Sequence, residues 1–238
     1  MIRSVAALDT AYGTEAGDDV LYTTVNGSPA SFQVVDLDTY QLLRTIPLPG
    51  TTSAWSHTVD PDGNVVIASS GKLFRYSPAT KQVEDLGQVP GAVALYGVAT
   101  DSDGDIVVGT YPDAKVVRWD SATRTYLDLG TVADGQEHVR GMAYRDGVAY
   151  AGTGTTRQPV GGRRRHRHPR PRSSSRTVPS TTRTQLGTTL TVVDPKKLTY
   201  RKLADRAEIM TFADDGAIYY AAGTDLMRIR TGRPAAPR

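Results

Sequence analysis

The chain has 238 residues, 39% of them hydrophobic, enough for one larger all-β unit or two small domains. It contains no cysteine, which excludes a disulfide framework, a thiolate metal site and a cysteine nucleophile. The formal charge of +3 conceals an acidic body: nine arginines and no Asp, Glu or Lys fall between Arg157 and Leu186, leaving 19 basic against 25 acidic residues elsewhere. A nucleic-acid footprint needs a basic face on the folded body, so nucleic acid is not expected as a partner unless the arginine tract is a genuine arm.

The opening MIRSVAALDTAYG has no long apolar segment and no cleavage pattern. No run approaches the ~20 apolar residues of a membrane span, so none is expected. Localisation stays open, with an extracellular or periplasmic site favoured for a full-length form.

In chain order, two kinds of segment alternate. FQVVDLDTYQLLRTI comes first, then SHTVDPDGNVVIAS around Gly63 and LFRYSPATKQVEDLG. GVATDSDGDIVVGT around Gly104 and VVRWDSATRTYLDLG follow, then GMAYRDGVAYAGT around Gly147, LTVVDPKKLTYRKL, and MTFADDGAIYYAAGT around Gly216. Gly63 to Gly104 is 41 residues and Gly104 to Gly147 is 43, but Gly147 to Gly216 is 69. The turns at Asp36, Ser77, Asp120 and Asp194 are 41, 43 and 74 apart. Without the thirty residues 157–186 the long intervals become 39 and 44, so the tract interrupts a regular repeat.

Each repeat reads as four short strands. An apolar run meets an Asp-Gly turn, the hairpin signal, and is followed by a run rich in Val, Ile, Tyr and Thr, a second turn, a third strand ending in Asp or Ser, a polar turn and a fourth strand. Four strands per ~40 residues is the β-propeller period. The expected fold is an all-β propeller of four-stranded blades at about 1–50, 51–91, 92–131, 132–205 and 206–231, with an unstructured tail at 232–238. The last repeat lacks its fourth strand, which favours an incomplete six- or seven-bladed propeller over a five-bladed one.

On stretches such as GTYPDAKVVRWDSATRTYLDLG and HVRGMAYRDGVAYAGTGT, residues 1–156 and 187–230 resemble bacterial propellers of the quinoprotein-like and NHL-like kind. The same pair is similar to propeller polysaccharide lyases that cleave rhamnose–glucuronate linkages. Within that pattern, the Arg-rich segment 157–186 reads in three ways: coding sequence translated out of frame, a disordered loop of the fourth blade, or a basic arm.

Aligning Gly97 with Gly141 places Trp55, Tyr96, Arg140 and Glu208 at one equivalent position of successive blades, where the inner strand enters the central channel. Ser56, His57 and His138 are their neighbours. Packing alone would favour similar residues at these positions. Large polar and aromatic types there point to a pocket, with Trp55, Ser56 and Glu208 as ligand-binding candidates.

The resemblance to lyases implies β-elimination from a uronate. Arg140 would neutralise the carboxylate, His57 or His138 would act as base, and Tyr96 would protonate the leaving oxygen. Solvated channel residues and structural histidines are the competing reading. No metal site is expected: the His166 and His168 pair lies among arginines, and DSDGD at Asp101 has Pro112 where a calcium loop needs its bidentate Glu. The cofactor stays unknown, a bound quinone being implied by analogy alone. The functional expectation is a propeller that binds or cleaves a small anionic saccharide, against a non-catalytic interaction propeller or an inactive remnant.

Overall fold

The computed structural model describes residues 7–145, 147–154, 189–194, 199–205, 210–212, 217–222 and 225–230. Among them there are nineteen strands and no helix. The expectation of an all-β chain of four-stranded antiparallel sheets holds. The arginine tract 157–186, Glu208 and the tail 232–238 lie outside the described residues.

The strands fall into consecutive sheets, each a simple meander. Blade one is β1 (Ala7–Glu15), β2 (Asp18–Val25), β3 (Ala30–Asp36) and β4 (Leu42–Leu48). Blade two is β5 (Ala54–Val59), β6 (Val65–Ser69), β7 (Lys72–Ser77) and β8 (Gln82–Gln88). Blade three is β9 (Ala94–Thr100), β10 (Ile106–Tyr111), β11 (Lys115–Asp120) and β12 (Thr125–Thr131). Blade four is β13 (His138–Arg145), β14 (Val148–Gly154), β15 (Thr189–Asp194) and β16 (Thr199–Asp205), and a further sheet holds β17 (Met210–Phe212), β18 (Ala217–Ala222) and β19 (Asp225–Arg230). β14 and β15 pair directly from Ala149↔Val193 to Thr153↔Thr189, so the ladder of blade four closes across the long connection between them.

The turns explain the repeat. In the first hairpins of blades two and three, Asp60 and Asp101 accept backbone N–H bonds from residues two and four positions on. Gly63 and Gly104 then take φ of 83° and 81°, the left-handed conformation that glycine adopts without penalty. At the outer hairpins Asp36 and Asp120 each accept the backbone N–H and the hydroxyl of a threonine three residues on. These are side-chain-capped turns, repeated because each blade must reverse direction at the same point.

Alternate residues of each central strand face opposite neighbours. Val65, Ile67, Phe74 and Tyr76 pack with Val20, Tyr22, Phe32 and Val34 of blade one, whereas Val66, Ala68 and Leu73 pack with Ile106, Val117 and Trp119 of blade three. A third core joins Val107 and Val116 to Val139, Ala149 and Val193, and a fourth joins Tyr150 and Leu190 to Ile229. A sheet buried on both faces reads as a near-continuous apolar run, as NVVIAS does. The first strands of the blades lie side by side, β1 against β5, β5 against β9 and β9 against β13. They line the axis on which the candidate residues converge.

Candidate functional site

Each of these inner strands carries an extra residue near its start. In β5, Ala54 pairs with Ser69 and Ser56 with Ala68, leaving Trp55 unpaired. In β9, Leu95 pairs with Thr110 and Gly97 with Gly109, leaving Tyr96. In β13, Val139 pairs with Thr153 and Gly141 with Gly152, leaving Arg140. The matching irregularity of β1 spans Leu8 and Asp9. A bulge bends its strand and re-aims a side chain, which the alternation of a regular strand would fix to one face.

The re-aimed side chains meet across the blades. The Trp55 and Tyr96 rings lie 4.8 Å apart. Tyr96 presents an edge-to-face contact to His138 at 4.9 Å, and His138 stacks on Tyr111 at 4.5 Å. The Arg140 guanidinium sits 5.4 Å from the centre of the Tyr96 ring, a cation–π distance. Trp55 is 36% exposed and Arg140 is exposed, while His138 is only 2% exposed. The cluster is thus wet at Trp55 and Arg140 and closed at the imidazole. Close packing of blades three and four supports it: a Cβ on Gly109 would lie 2.7 Å from the carbonyl oxygen of Val139.

The electrostatics follow from burial. Loss of solvent pushes the His138 imidazole below its ordinary range, the Arg140 charge pushes the same way, and the Gly154 carbonyl and Glu137 charge oppose them. His138 Nδ1 is buried with no hydrogen-bond partner among the described residues. Burial raises the Tyr96 phenol, which stays protonated and able to donate. Arg44, Arg75, Arg118 and Arg124 each face a carboxylate. Arg140 has none within ion-pair distance among the described residues.

His57 belongs to a different arrangement. Its backbone N–H donates to Asp9 Oδ2 at 2.6 Å, its Nε2 lies 2.9 Å from Thr24 Oγ1, and its Nδ1 lies 3.6 Å from Asp9 Oδ2. Burial alone would raise the Asp9 carboxyl, but hydrogen bonds from His57 more than offset this and hold it below its usual range. The line of acid, imidazole and hydroxyl has the order of a nucleophile relay. Thr24 is fully buried, however, so the line ties blade one to blade two and offers no hydroxyl to a substrate. Ser56 is half-buried in the ladder opposite Ala68. Of the sequence candidates the structure brings together Trp55, Tyr96, His138 and Arg140. Glu208 lies outside the described residues.

Sequence reasoning missed Tyr111. It closes β10, and its contact with His138 arises between neighbouring blades, which no spacing within a repeat reveals. Among the described residues no three His, Cys, Asp or Glu side chains gather as a metal site.

No family model and no curated protein matches the sequence. Solved structures do match. Virginiamycin B lyase from Staphylococcus aureus is similar with a TM-score of 0.64 at 13% identity, over 94% of this chain and 67% of that one. Hydrazine synthase of Kuenenia stuttgartiensis gives 0.60 at 11% identity, over 90% and 55%. The RRP9 WD40 repeats give 0.60 at 13%, over 96% and 65%. The chain therefore spans between half and two thirds of the length of these neighbours. At such identities the likeness shows the fold alone: the protein is built of β-propeller repeats.

Proposed function

We propose that the inner-strand bulges form a binding site for a small anionic saccharide. The observation that carries this reading is Arg140: it lies over Tyr96, is exposed, and is without a carboxylate partner among the described residues, unlike Arg44, Arg75, Arg118 and Arg124, each of which is ion-paired. A guanidinium so placed suits a carboxylate. Trp55 beside it offers an apolar plate for a sugar ring, and the Tyr96 phenol supplies a donor. The resemblance of the sequence to propeller polysaccharide lyases supports the same ligand class.

The geometry favours binding over elimination. A general base must come within hydrogen-bond reach of the proton it removes. His138 is enclosed between Tyr96 and Tyr111, and His57, 8% exposed, is engaged with Asp9 and Thr24. Calorimetric titration of the chain with oligogalacturonate and with an uncharged oligosaccharide of equal length tests the reading. Saturable binding of the uronate alone, weakened at high salt, is expected. Equal binding of both would remove the role of Arg140. Appearance of the ultraviolet absorbance of an unsaturated uronate would restore the elimination reading.

A further inference from the structure

The outer turn of blade two lacks a carboxylate that the turns on either side of it have. In blade one, Asp36 Oδ1 accepts the Thr39 N–H at 2.6 Å and the Thr39 hydroxyl at 2.7 Å. In blade three, Asp120 Oδ1 accepts the Thr123 N–H and hydroxyl, both at 2.8 Å, and its Oδ2 accepts Arg118 Nη2 at 3.0 Å. Arg118 also donates from Nε to Asp105 Oδ2 at 2.7 Å. The matching register of the sheets sets Ser77 where Asp36 and Asp120 stand, Thr80 at Thr39 and Thr123, Arg75 at Arg118, and Asn64 at Asp105.

These exchanges remove the negative charges and keep the donors. Among the described residues the Thr80 N–H and hydroxyl have no acceptor, and neither do Arg75 Nε and Nη1. Arg75 Nη2 donates to Glu84 Oε2 at 2.9 Å, and Arg124 Nη2 of blade three donates to the other oxygen at 2.6 Å. The two guanidinium groups lie 5.4 and 5.7 Å from the centre of the Trp119 ring. Glu84 is therefore neutralised with one positive charge left over. Beside it a cavity of about 590 Å³ opens, lined by Asp62, Asn64, Arg75, Ser77, Thr80 and Gln82.

We propose that this cavity binds a small hydroxycarboxylate, whose carboxylate takes the place that Asp36 and Asp120 fill in the flanking blades. The Thr80 N–H, the Thr80 hydroxyl and Arg75 are its donors. The rest of the lining offers acceptors: the Asp62 carboxylate, the Gln82 oxygen and the oxygen of Asn64, whose Nδ2 is engaged with Asp60. Acceptors suit hydroxyl groups. Val83, the one apolar side chain of the lining among the described residues, gives little cover to a hydrocarbon tail. Asp62 opposes a second carboxylate, so the ligand is a monocarboxylate and not the polyuronate of the channel mouth.

Nitrogen–proton correlation spectra of the full chain, with the Thr80 amide and Arg75 Nε–H assigned, test this during titration with sodium gluconate at constant ionic strength. Both signals should move saturably, with a dissociation constant on the order of 1 mM for a ligand of this size. Propionate, which lacks the hydroxyls, should bind at least ~5-fold more weakly, and sorbitol, which lacks the charge, should move neither signal. Ser77→Asp supplies the missing carboxylate from the chain itself. It should raise the urea midpoint, because Thr80 and Arg75 gain an acceptor, and raise the gluconate dissociation constant at least ~30-fold. Signals that stay still up to about 50 mM gluconate would overturn the proposal. So would propionate or sorbitol matching gluconate, or an unchanged gluconate affinity in folded Ser77→Asp.

Discussion

Arg140 and Tyr96 are equivalent residues of neighbouring blades, each the unpaired residue of a bulge, and the guanidinium of one lies 5.4 Å from the ring centre of the other. Because both leave the ladder at the same level, the cation and the ring meet at the axis without either being buried among apolar neighbours. Replacing Arg140 by Ala should leave the free energy of unfolding in urea within about 0.5 kcal/mol of wild type, as for an exposed site. Uronate affinity should fall at least ~10-fold, the loss of one charge-assisted hydrogen-bonding group. Parallel unfolding and calorimetric titrations separate the two effects.

His138 gives the fold a pH dependence with a definite sign. Its imidazole is depressed in the folded chain below the reference value of 6.5, so the unfolded state binds the proton first as pH falls. Stability from this group is present in full above the unfolded value and declines as pH drops toward the folded one. His138→Gln should flatten the difference in urea midpoint between pH 7 and about pH 5 relative to wild type. An unchanged slope would place the titration elsewhere.

Gly109 should tolerate no side chain. A Cβ there would lie 2.5 Å from Val139 Cβ and 2.7 Å from the Val139 carbonyl oxygen, so the backbone of blade four would have to move. Gly109→Ala is expected to cost about 3 kcal/mol, toward the upper end for overpacking. Combined with Val139→Ala, it should cost less than the two single changes added together. Chemical denaturation of the three variants measures the coupling.

Glu15 ties blade one to blade two. It is buried, and it accepts hydrogen bonds from Arg44 Nη1 at 2.6 Å and from the Tyr76 hydroxyl at 2.7 Å. Burial and the Glu15 charge both push the Tyr76 phenol up. Glu15→Ala leaves the part-buried Arg44 charge without its carboxylate, and the Tyr76 hydroxyl hydrogen without its acceptor, and should cost about 3 kcal/mol. Tyr76→Phe removes two hydrogen bonds, one donated to Glu15 and one accepted from Arg44, and should cost about 2 kcal/mol. Thermal unfolding of both distinguishes a network from a single bond.

The repeat was legible because each turn is built from side chains the sequence displays. Asp60 and Asp101 with Gly63 and Gly104, and Asp36 and Asp120 with their threonines, mark the same bends in successive blades. That register also aligns Trp55, Tyr96 and Arg140, so their convergence on the inner strands is legible from spacing. The bulges are not, since they depend on which partner residue each inner strand skips. His57, a candidate base by sequence, lies two positions after the bulge and is held by Asp9 and Thr24 of blade one, a contact between blades that spacing does not reveal. Tyr111 reached His138 through packing between blades, where sequence separation carries no signal.

The most direct test of the site uses the two tryptophans, Trp55 at the mouth and Trp119 buried in the core between blades two and three. Their indole N–H signals, assigned by Trp55→Phe, should be followed in nitrogen–proton correlation spectra as oligogalacturonate is added. The account predicts that the Trp55 signal moves saturably, that Trp119 stays still, and that the movement disappears in Arg140→Ala. A Trp55 signal that never moves, or one that moves equally without Arg140, would contradict it.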